Sequence, residues 1–484
     1  MLNISKELFT AWNDAKVLYC HWKSNEHLLP GLNGETDLDV LLSRDDKQEG
    51  EAILHDLKFL QVRSQFGSRY PNVDDWIGFD YDTGKLIHIH LHYVLVTGHR
   101  GMKEYALHWT DMALQTRILN DYGVYTMEPN LEMVTLYTRI GLKADFKSLI
   151  RCRTGRFKFS KGTQREIDWL KERVDKGKVH QLVDTFYGKK SKDMQRIMEG
   201  EKITASDFLE LRKLTESRFK ESSRVKNFMR VKELLYFLYL NWGKRIVRKF
   251  HPVITRKVPY SGAGNRIVFV GQDGSGKSTV TKEIVNWLSW KIDATRFYFG
   301  SGDHYNPWQK RLRKGLRKFS RLPICNYLYK MTTLWVLSLW GKYVRKNIKI
   351  ANKYVAMGGI AILDRFPQMQ FSGINDGPKI REWEENEASG WLMKHIANKL
   401  AKREEKDIEY VWNNTPDLVF KLVLPVEESF RRKPHENCDA VRRKHDVVEN
   451  LQFANTTVYT IDATQNYEGE IIDIKRKIWS QLVK

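Results

Sequence analysis

Five short stretches dominated by apolar residues punctuate the second half of the chain, at 267–270, 296–300, 360–363, 418–424 and 458–461. Near-continuous apolar runs of this length suit strands buried on both faces, as in a parallel sheet, better than half-exposed strands, which alternate. Helix-forming stretches separate them, among them 280–290 and a long apolar segment around 331–349. Residues 265–484 are therefore predicted to form an α/β domain around a parallel sheet. The first half reads differently. Residues 38–42 form a strand pattern after a helical start, and 76–81 and 86–96 read as the arms of a hairpin turned by Asp82, Thr83 and Gly84. This predicts a small α/β unit over 1–102. From 103 to 250 the apolar spacing is three and four, as in Leu131, Val134, Leu136 and Ile140, and again in Phe228, Val231, Leu235, Leu238 and Trp242, which predicts helices. Pro252, Pro259 and the run Ser261, Gly262, Ala263, Gly264 mark 251–264 as a linker.

A chain of 484 residues with 42% hydrophobic content can hold two or three cores. The four cysteines, Cys20, Cys152, Cys325 and Cys438, form no C-x-x-C pair, which argues against a disulfide framework and a cysteine zinc site and favours a reducing compartment. The first residues lack a basic segment followed by an apolar run and a cleavage site, so a cytoplasmic location is expected. The uncharged apolar run at 331–341 is about half the length of a spanning helix. The formal charge of +22 is concentrated: residues 212–257 hold fourteen Lys and Arg against three Glu, and 310–321 hold seven with no acid. Such clusters attract nucleic acid, anionic lipid or nucleotide, unless they are simply solvated helix faces. The segment 228–249 runs as an aromatic, amphipathic helix into Lys244, Arg245, Arg248 and Lys249. That composition suits the surface of an anionic membrane, although packing against a neighbouring domain is the commoner fate.

The sharpest chemical signal is RIVFVGQDGSGKST at 266–279, which joins a buried-looking strand to a helix through a glycine loop. Gly271, Gly276, Lys277 and Ser278 satisfy G-x-x-x-x-G-K-[ST], the phosphate-binding P-loop. Glycines let backbone N–H groups turn inward around phosphate oxygens where a side chain would clash. Lys277 supplies a point charge, Ser278 offers a hydroxyl to Mg²⁺, and the helix that starts there aims its positive end at the anion. Downstream, the strand at 360–363 delivers Asp364 and Arg365 to its C-terminal edge, where ligands sit in open α/β sheets. Asp364 suits a metal or a metal-bound water, and Arg365 can fork onto a phosphate. Arg431, Arg432 and Lys433, then Arg442, Arg443 and Lys444, flank a polar hinge and read as an arginine-rich lid. On the long helix Lys342, Arg345, Lys346 and Lys349 recur at helical spacing, a cationic stripe expected to border a phosphate-binding cleft.

In the first half the informative stretch is GLNGETDLDVLL at 31–42. Asp37 and Asp39 stand two apart at a strand entrance, which puts both carboxylates on one face, about 7 Å apart, a spacing that can grip a Mg²⁺ pair. The pattern G-[ES]-x-D-x-D before an apolar run resembles the nucleotidyltransferase fold, over about 70 residues. It is most similar to an uncharacterised branch in which a later strand reads apolar-Asp-Leu-His-aromatic. Ile89, His90, Leu91, His92 and Tyr93 stand there, so His90 replaces the third carboxylate and weakens a Mg²⁺ site. His88, His90 and His92 alternate onto one face of that strand, an arrangement that can hold a transition metal but more commonly makes a half-exposed polar face.

Taken in order, the P-loop, the strand ending Asp364-Arg365-Phe366, the P-D-L strand at 416–418, the arginine-rich lid and the closing Ile461-Asp462-Ala463 resemble the thymidylate kinase family of P-loop kinases across 265–484. The resemblance implies ATP and Mg²⁺ as cofactors. ATP would lie in the loop 271–279, on Gly274, Gly276, Lys277, Ser278 and Thr279 with Gly271 and Ser275 beside them. Asp364 and Arg365 would serve the metal and the acceptor phosphate, with lid arginines among Arg431, Arg432, Arg442 and Arg443 stabilising the moving phosphoryl group. The family's substrate loop after the second strand is replaced by FGSGDHYNPWQK, and the segment after Asp364-Arg365 ends in Asn375, Asp376, Gly377, Pro378 and Lys379 rather than an aromatic-Gln run. Thymidylate is therefore expected to be a poor acceptor, and the cationic stripe points to an anionic small molecule. Two other readings stand beside this kinase. One is a bifunctional kinase and nucleotidyltransferase. The other is an ATP-dependent switch that holds nucleic acid or a membrane, peripheral to it, through basic helices; a second copy of the chain is a further candidate partner.

Overall fold

A computed structural model of the chain describes residues 1–64, 70, 72–99, 103–144, 146–219, 235, 238, 239, 253–300, 307–318, 321–432 and 438–484. Phe228, Val231, Trp242, Lys244, Arg245, Arg248, Lys249, Pro252 and Lys433, together with 301–306 of the expected substrate loop, lie outside the described residues. The chain forms two compact units, Met1–Arg245 and Ile246–Leu482.

In the first unit the sheet contains β1 (Tyr19–His21), β2 (Asp37–Leu42), β3 (Leu60–Ser64), β4 (Val73–Phe79), β5 (Leu86–His92), β6 (Ile118–Leu119) and β7 (Tyr125–Thr126). These strands run in the order β3-β4-β5-β2-β1-β7-β6. β2 pairs parallel with β5, while β4 pairs antiparallel with β5 on its other side. The β4–β5 turn is fastened by Asp80, whose Oδ1 accepts from the Thr83 amide at 2.9 Å, the local bonding that makes aspartate a turn former. Side chains alternate across the pleat. Leu38, Val40 and Leu42 of β2 and Ile87, Ile89 and Leu91 of β5 therefore fall on one face, packed with Leu8, Phe9 and Trp12 of α1 (Asn3–Asp14) and Leu54 of α2 (Lys47–Asp56). The opposite face presents Asp37, Asp39, His88, His90 and His92. The helices α3 (Pro129–Leu142), α4 (Lys161–Lys171), α5 (Lys176–Tyr187) and α6 (Ala205–Phe219) supply much of this unit's second core, which takes in Cys20 and Leu41 from the sheet and Trp22 just after β1.

The second unit is built on β8 (Arg266–Gly271), β9 (Ala294–Tyr298), β10 (Ile360–Asp364), β11 (Leu418–Val423) and β12 (Thr457–Asp462) in the order β9-β10-β8-β11-β12. All four pairings are parallel. Continuous burial of β10 and of residues 267–270 in β8 explains why these strands read as unbroken apolar runs. Strand order reverses around β8, and a cleft at the C-terminal edge beside such a reversal is where open α/β sheets bind ligands. α7 (Lys277–Leu288) leaves β8 at that point. The 34-residue helix α8 (Pro323–Ala356) buries Trp340, Val344, Ile348, Ala351 and Tyr354 at three- and four-residue intervals. Each large apolar side chain so buried contributes about 1.5–3 kcal/mol. The Trp340 indole also donates to the Phe299 carbonyl at 3.0 Å, so α8 is fixed against the end of β9. α9 (Trp391–Trp412), α10 (Val426–Arg432), α11 (Cys438–Asn450) and α12 (Tyr467–Leu482) also belong to this unit. No described helix is long and apolar enough to cross a membrane.

Candidate functional site

The loop between β8 and α7 requires glycine at three positions for two reasons. Gly274 and Gly276 have φ of +86° and +81°, a region costly for residues with a Cβ. At Gly271 an added Cβ would stand 2.5 Å from the Leu422 carbonyl oxygen of the neighbouring strand. The loop closes on Lys277, whose Nζ donates to the Gln272 carbonyl at 2.6 Å and lies 3.4 Å from Ser275 Oγ. Lys277 and Ser275 are buried, whereas Gly276, Ser278 and Thr279 face solvent at the helix start. Burial, with the nearby positive charge of Arg365, pushes Lys277 down to about 8. A buried ammonium held by carbonyl and hydroxyl oxygens is poised to exchange them for an anion.

Asp364 reaches this loop through register: it pairs with Phe269 of β8 on one side and Tyr298 of β9 on the other. Its carboxylate is fully buried. Oδ2 accepts from Ser278 Oγ at 3.0 Å, Thr281 Oγ1 at 3.3 Å and Arg296 Nε at 3.0 Å, and Arg296 Nη2 forms an ion pair with the same oxygen. Among the described residues Oδ1 has no hydrogen-bond partner. A buried carboxylate oxygen without a donor, beside a serine hydroxyl and a phosphate loop, has the donor chemistry that Mg²⁺ selects, oxygens only. Arg296 and Thr281 were not singled out in the sequence. Thr281 follows Ser278 by three residues, and that helical spacing is the signal that could have found it.

Arg365 adopts φ +71° and places its guanidinium between Asp273, at 3.3 Å, and Asp376, at 3.5 Å. Burial disfavours its charge, but Asp376 and Asp273 outweigh burial and raise its pKa. Asp376 belongs to a loop pinned by the buried Gln368, which donates to the Phe371 and Ile374 carbonyls at 2.7 and 2.9 Å. Asp273 also takes Lys444 Nζ at 2.5 Å. Of the arginines expected in the lid, Arg432 reaches the loop, donating to the Gly274 carbonyl at 3.2 Å and to Ala463 at 3.2 Å. Arg431 is exposed and pairs with Glu428 at 2.7 Å. Arg442 is exposed and, among the described residues, makes no hydrogen bond or ion pair, so Lys444 rather than Arg442 joins α11 to the loop.

The cationic stripe faces elsewhere. Lys342, Arg345, Lys346 and Lys349 line a hollow of about 490 Å³ with Lys353, Arg403 and Asp407, and none of the loop residues line it. Arg345 pairs with Asp407 of α9 at 2.7 Å. The stripe and Arg365 therefore do not share one cleft, and the stripe's charge says nothing of what binds beside Asp364.

In the first unit Asp37 and Asp39 are not the open pair expected. Asp39 receives Lys23 Nζ at 2.7 Å, and Asp37 meets His88 at 2.9 Å. Burial would raise the Asp39 pKa, but Lys23 and the hydrogen bonds from His90 and His92 hold it well below the usual carboxylate range. The histidine row is not a half-exposed face either, because His88 and His92 are buried. Trp22, 5.2 Å from His92 ring to ring, and the helices beyond it cover that side of the sheet.

No protein-family profile matches the chain. It is similar to two proteins of Escherichia coli K12, the uncharacterized ATP-binding proteins YghS and YghR. Identity is 26% over 210 residues for YghS, covering 40% of this chain and 84% of YghS, and 26% over 222 residues for YghR, covering 44% and 85%. Among solved structures it is similar to deoxyadenosine kinase from M. mycoides with bound dCTP and with bound dATP. Identity is 16% in both cases, with TM-scores of 0.28 and 0.29 over 44% of this chain and 99% and 98% of those chains.

Proposed function

We propose that residues 265–484 form an ATP-dependent phosphotransferase of the thymidylate kinase-like kind, acting on a small-molecule acceptor other than thymidylate. The observation that supports this most is the meeting of Lys277, Ser278 and the fully buried Asp364, with one oxygen of Asp364 lacking a hydrogen-bond donor. The names of the relatives YghS and YghR support ATP as the nucleotide. Backbone N–H groups of the loop and the start of α7 would receive the β- and γ-phosphates. Lys277 would leave the Gln272 carbonyl for them. Asp364 Oδ1 and Ser278 Oγ would hold Mg²⁺, which when bound supplies charge neutralisation on the phosphate oxygens. Arg365, balanced between two aspartates, can release either one and fork onto the transferring group or the acceptor, and Arg432 stands on the loop carbonyl side. Little covalent work falls to the protein in phosphoryl transfer, so positioned positive charge is what these residues contribute.

The test is ADP formation from Mg·ATP across nucleosides, nucleoside monophosphates including thymidylate, sugars and sugar phosphates. ADP appearing in step with one acceptor, and lost in Lys277→Ala, is the expected outcome. Slow ADP release that no acceptor accelerates would overturn the kinase reading in favour of an ATP-dependent switch. Efficient, saturable turnover of thymidylate would restore the family's usual substrate.

A further inference from the structure

We infer that Asp37, His88 and His90 form a binding site for a divalent transition-metal ion such as Zn²⁺ or Mn²⁺, with Asp75 and Asp39 as the carboxylates that orient its imidazoles. The strand register creates the cluster. Asp37 pairs with His88 and Asp39 with His90 across β2 and β5, while Asp75 of β4 pairs with His90 from the other side. The side chains of all five therefore emerge on one face of three adjacent strands.

The contacts define two imidazoles that each lie between carboxylates. His88 Nδ1 is 2.9 Å from Asp37 Oδ1, and its Nε2 is 3.1 Å from Asp75 Oδ1. His90 Nδ1 is 3.4 Å from Asp39 Oδ1, and its Nε2 is 3.2 Å from Asp75 Oδ1 and 3.9 Å from Asp37 Oδ2. A neutral imidazole has one N–H, so it can donate to only one of two carboxylates and must set a lone pair against the other. A cation between Asp37, His88 Nδ1 and His90 Nε2 removes that conflict at both rings. Each remaining nitrogen then carries its proton toward a carboxylate, His88 Nε2–H to Asp75 and His90 Nδ1–H to Asp39. This is the outer arrangement that metal-ligating histidines adopt, and it fixes both tautomers. One ligand atom from each of Asp37, His88 and His90 lies within 4.8 Å of the others. Tetrahedral ligands on bonds of about 2.0–2.1 Å stand roughly 3.3 Å apart, so small side-chain adjustments suffice.

Charge and donor type narrow the occupant. Lys23 already pairs with Asp39 at 2.7 Å. The same ammonium disfavours the other nearby grouping of Asp39, His90 and His92. Two imidazole nitrogens select Zn²⁺, Mn²⁺ or their neighbours over Mg²⁺ and Ca²⁺, which take oxygen. The Asp37 side chain is 32% exposed and that of His90 21%, so the ion keeps a solvent-side position for water or an anionic oxygen, unlike a closed structural site.

The test is calorimetric titration of the chelator-treated full chain with Zn²⁺ and with Mn²⁺, repeated in Asp37→Asn and His90→Gln, with circular dichroism confirming that each variant is folded. One equivalent of either ion is expected to bind with a micromolar or tighter Kd, unaffected by millimolar Mg²⁺, and to weaken at least about 100-fold in both variants. Asp75→Asn should weaken it about 10- to 100-fold. Binding below one tenth of an equivalent, binding unchanged in both folded variants, or full displacement by Mg²⁺ would overturn the site. ADP formation in the same preparations reports on Lys277 and Asp364, so failure here and failure of the kinase reading are separately visible.

Discussion

Two nitrogens of the Arg296 guanidinium converge on a single carboxylate oxygen of Asp364. Arg296 Nε stands 3.0 Å from Asp364 Oδ2 and Nη2 pairs with that same atom, while the equally buried Oδ1 accepts nothing. In this arrangement Arg296 is the counter-ion of a carboxylate cut off from water. Arg296→Met leaves that charge with hydroxyl donors alone, and breaking a buried pair costs up to about 3–5 kcal/mol. The nucleotide-free variant should therefore melt several degrees lower. Because a dication at Asp364 replaces the lost counter-ion, Mg·ATP should raise the variant's Tm by more than it raises the native protein's. Thermal melts with and without Mg·ATP decide this, and an equal or smaller shift in the variant sinks the idea.

Under the proposed function, the depressed pKa of Lys277 would give ATP binding a pH dependence of defined sign. Burial and Arg365 push the ammonium down to about 8, so above that pH the unliganded lysine is increasingly neutral and must take up a proton to hold phosphate. Affinity for ATP should fall from pH 8 upward, by as much as about tenfold per unit, with a matching proton uptake. Lys277→Arg, which stays charged over that range, should show a flat profile whatever its absolute affinity. Fluorescence titration with a labelled ATP analogue between pH 7 and 9.5 distinguishes the two; parallel profiles would show that Lys277 does not set the slope.

The glycine loop and the buried strands were legible because their constraints are local: φ at Gly274 and Gly276, and apolar continuity in β8 and β10. Arg296 was hidden inside RFYFG because its role depends on parallel pairing with β10, whose residues lie more than sixty positions downstream. The histidine alternation was visible in the sequence, but its burial was not, since the covering residues come from helices that follow the sheet. Likewise the spacing of Lys342, Arg345, Lys346 and Lys349 declares a stripe without saying what it faces, and Asp407 of α9 answers that only through long-range packing. The lid arginines read as one cluster, yet among the described residues Arg432 reaches the glycine loop while its neighbour Arg431, at a different phase of the same helix, pairs with Glu428.

Glu132 offers a stability test in the first unit. Fully buried in α3, it accepts from the Asn25 amide at 3.1 Å and from Asn25 Nδ2 at 2.7 Å, but burial dominates and pushes it up to about 7. Its folded pKa is thus above its ordinary value of 4.5, and between the two the folded state binds the extra proton. Stability from this group is full below about pH 4.5 and declines as pH rises toward 7, by at most about 3 kcal/mol. Glu132→Gln cannot ionise and should flatten that decline. It should be less stable than the native protein at pH 5, where it loses an Asn25 contact worth about 1 kcal/mol, and should close the gap by pH 8. Hydrogen exchange of α3 amides across this range is the measurement; an unchanged slope would show that Glu132 is not the titrating group.

Asp273 ties the phosphate loop to the helices that follow β11. Its carboxylate holds Lys444 of α11 at 2.5 Å and Arg365 at 3.3 Å, and its backbone carbonyl accepts from Ser429 of α10 at 2.9 Å. Burial alone would raise its pKa, but Lys444, Lys277 and Arg365 outweigh that and depress it, so its contribution to stability is present above the ordinary aspartate value near 4 and is lost as pH falls below it. Asp273→Asn removes one negative charge from beside the loop and releases two cations toward it. Because these groups are partly exposed and screened, the gain in attraction for a triphosphate is modest, about three- to tenfold in Kd for ATP, and should shrink with added salt. The same change unfastens α11, whose amides should exchange several times faster, and turnover should fall because the lysine no longer fixes the helix over the loop. Tighter ATP binding with slower turnover is thus the expected signature, read by titration at low and high salt and by ADP formation with the acceptor found in the screen. Weaker ATP binding in the variant would mean that Asp273 supports the nucleotide site directly rather than restraining the cations around it.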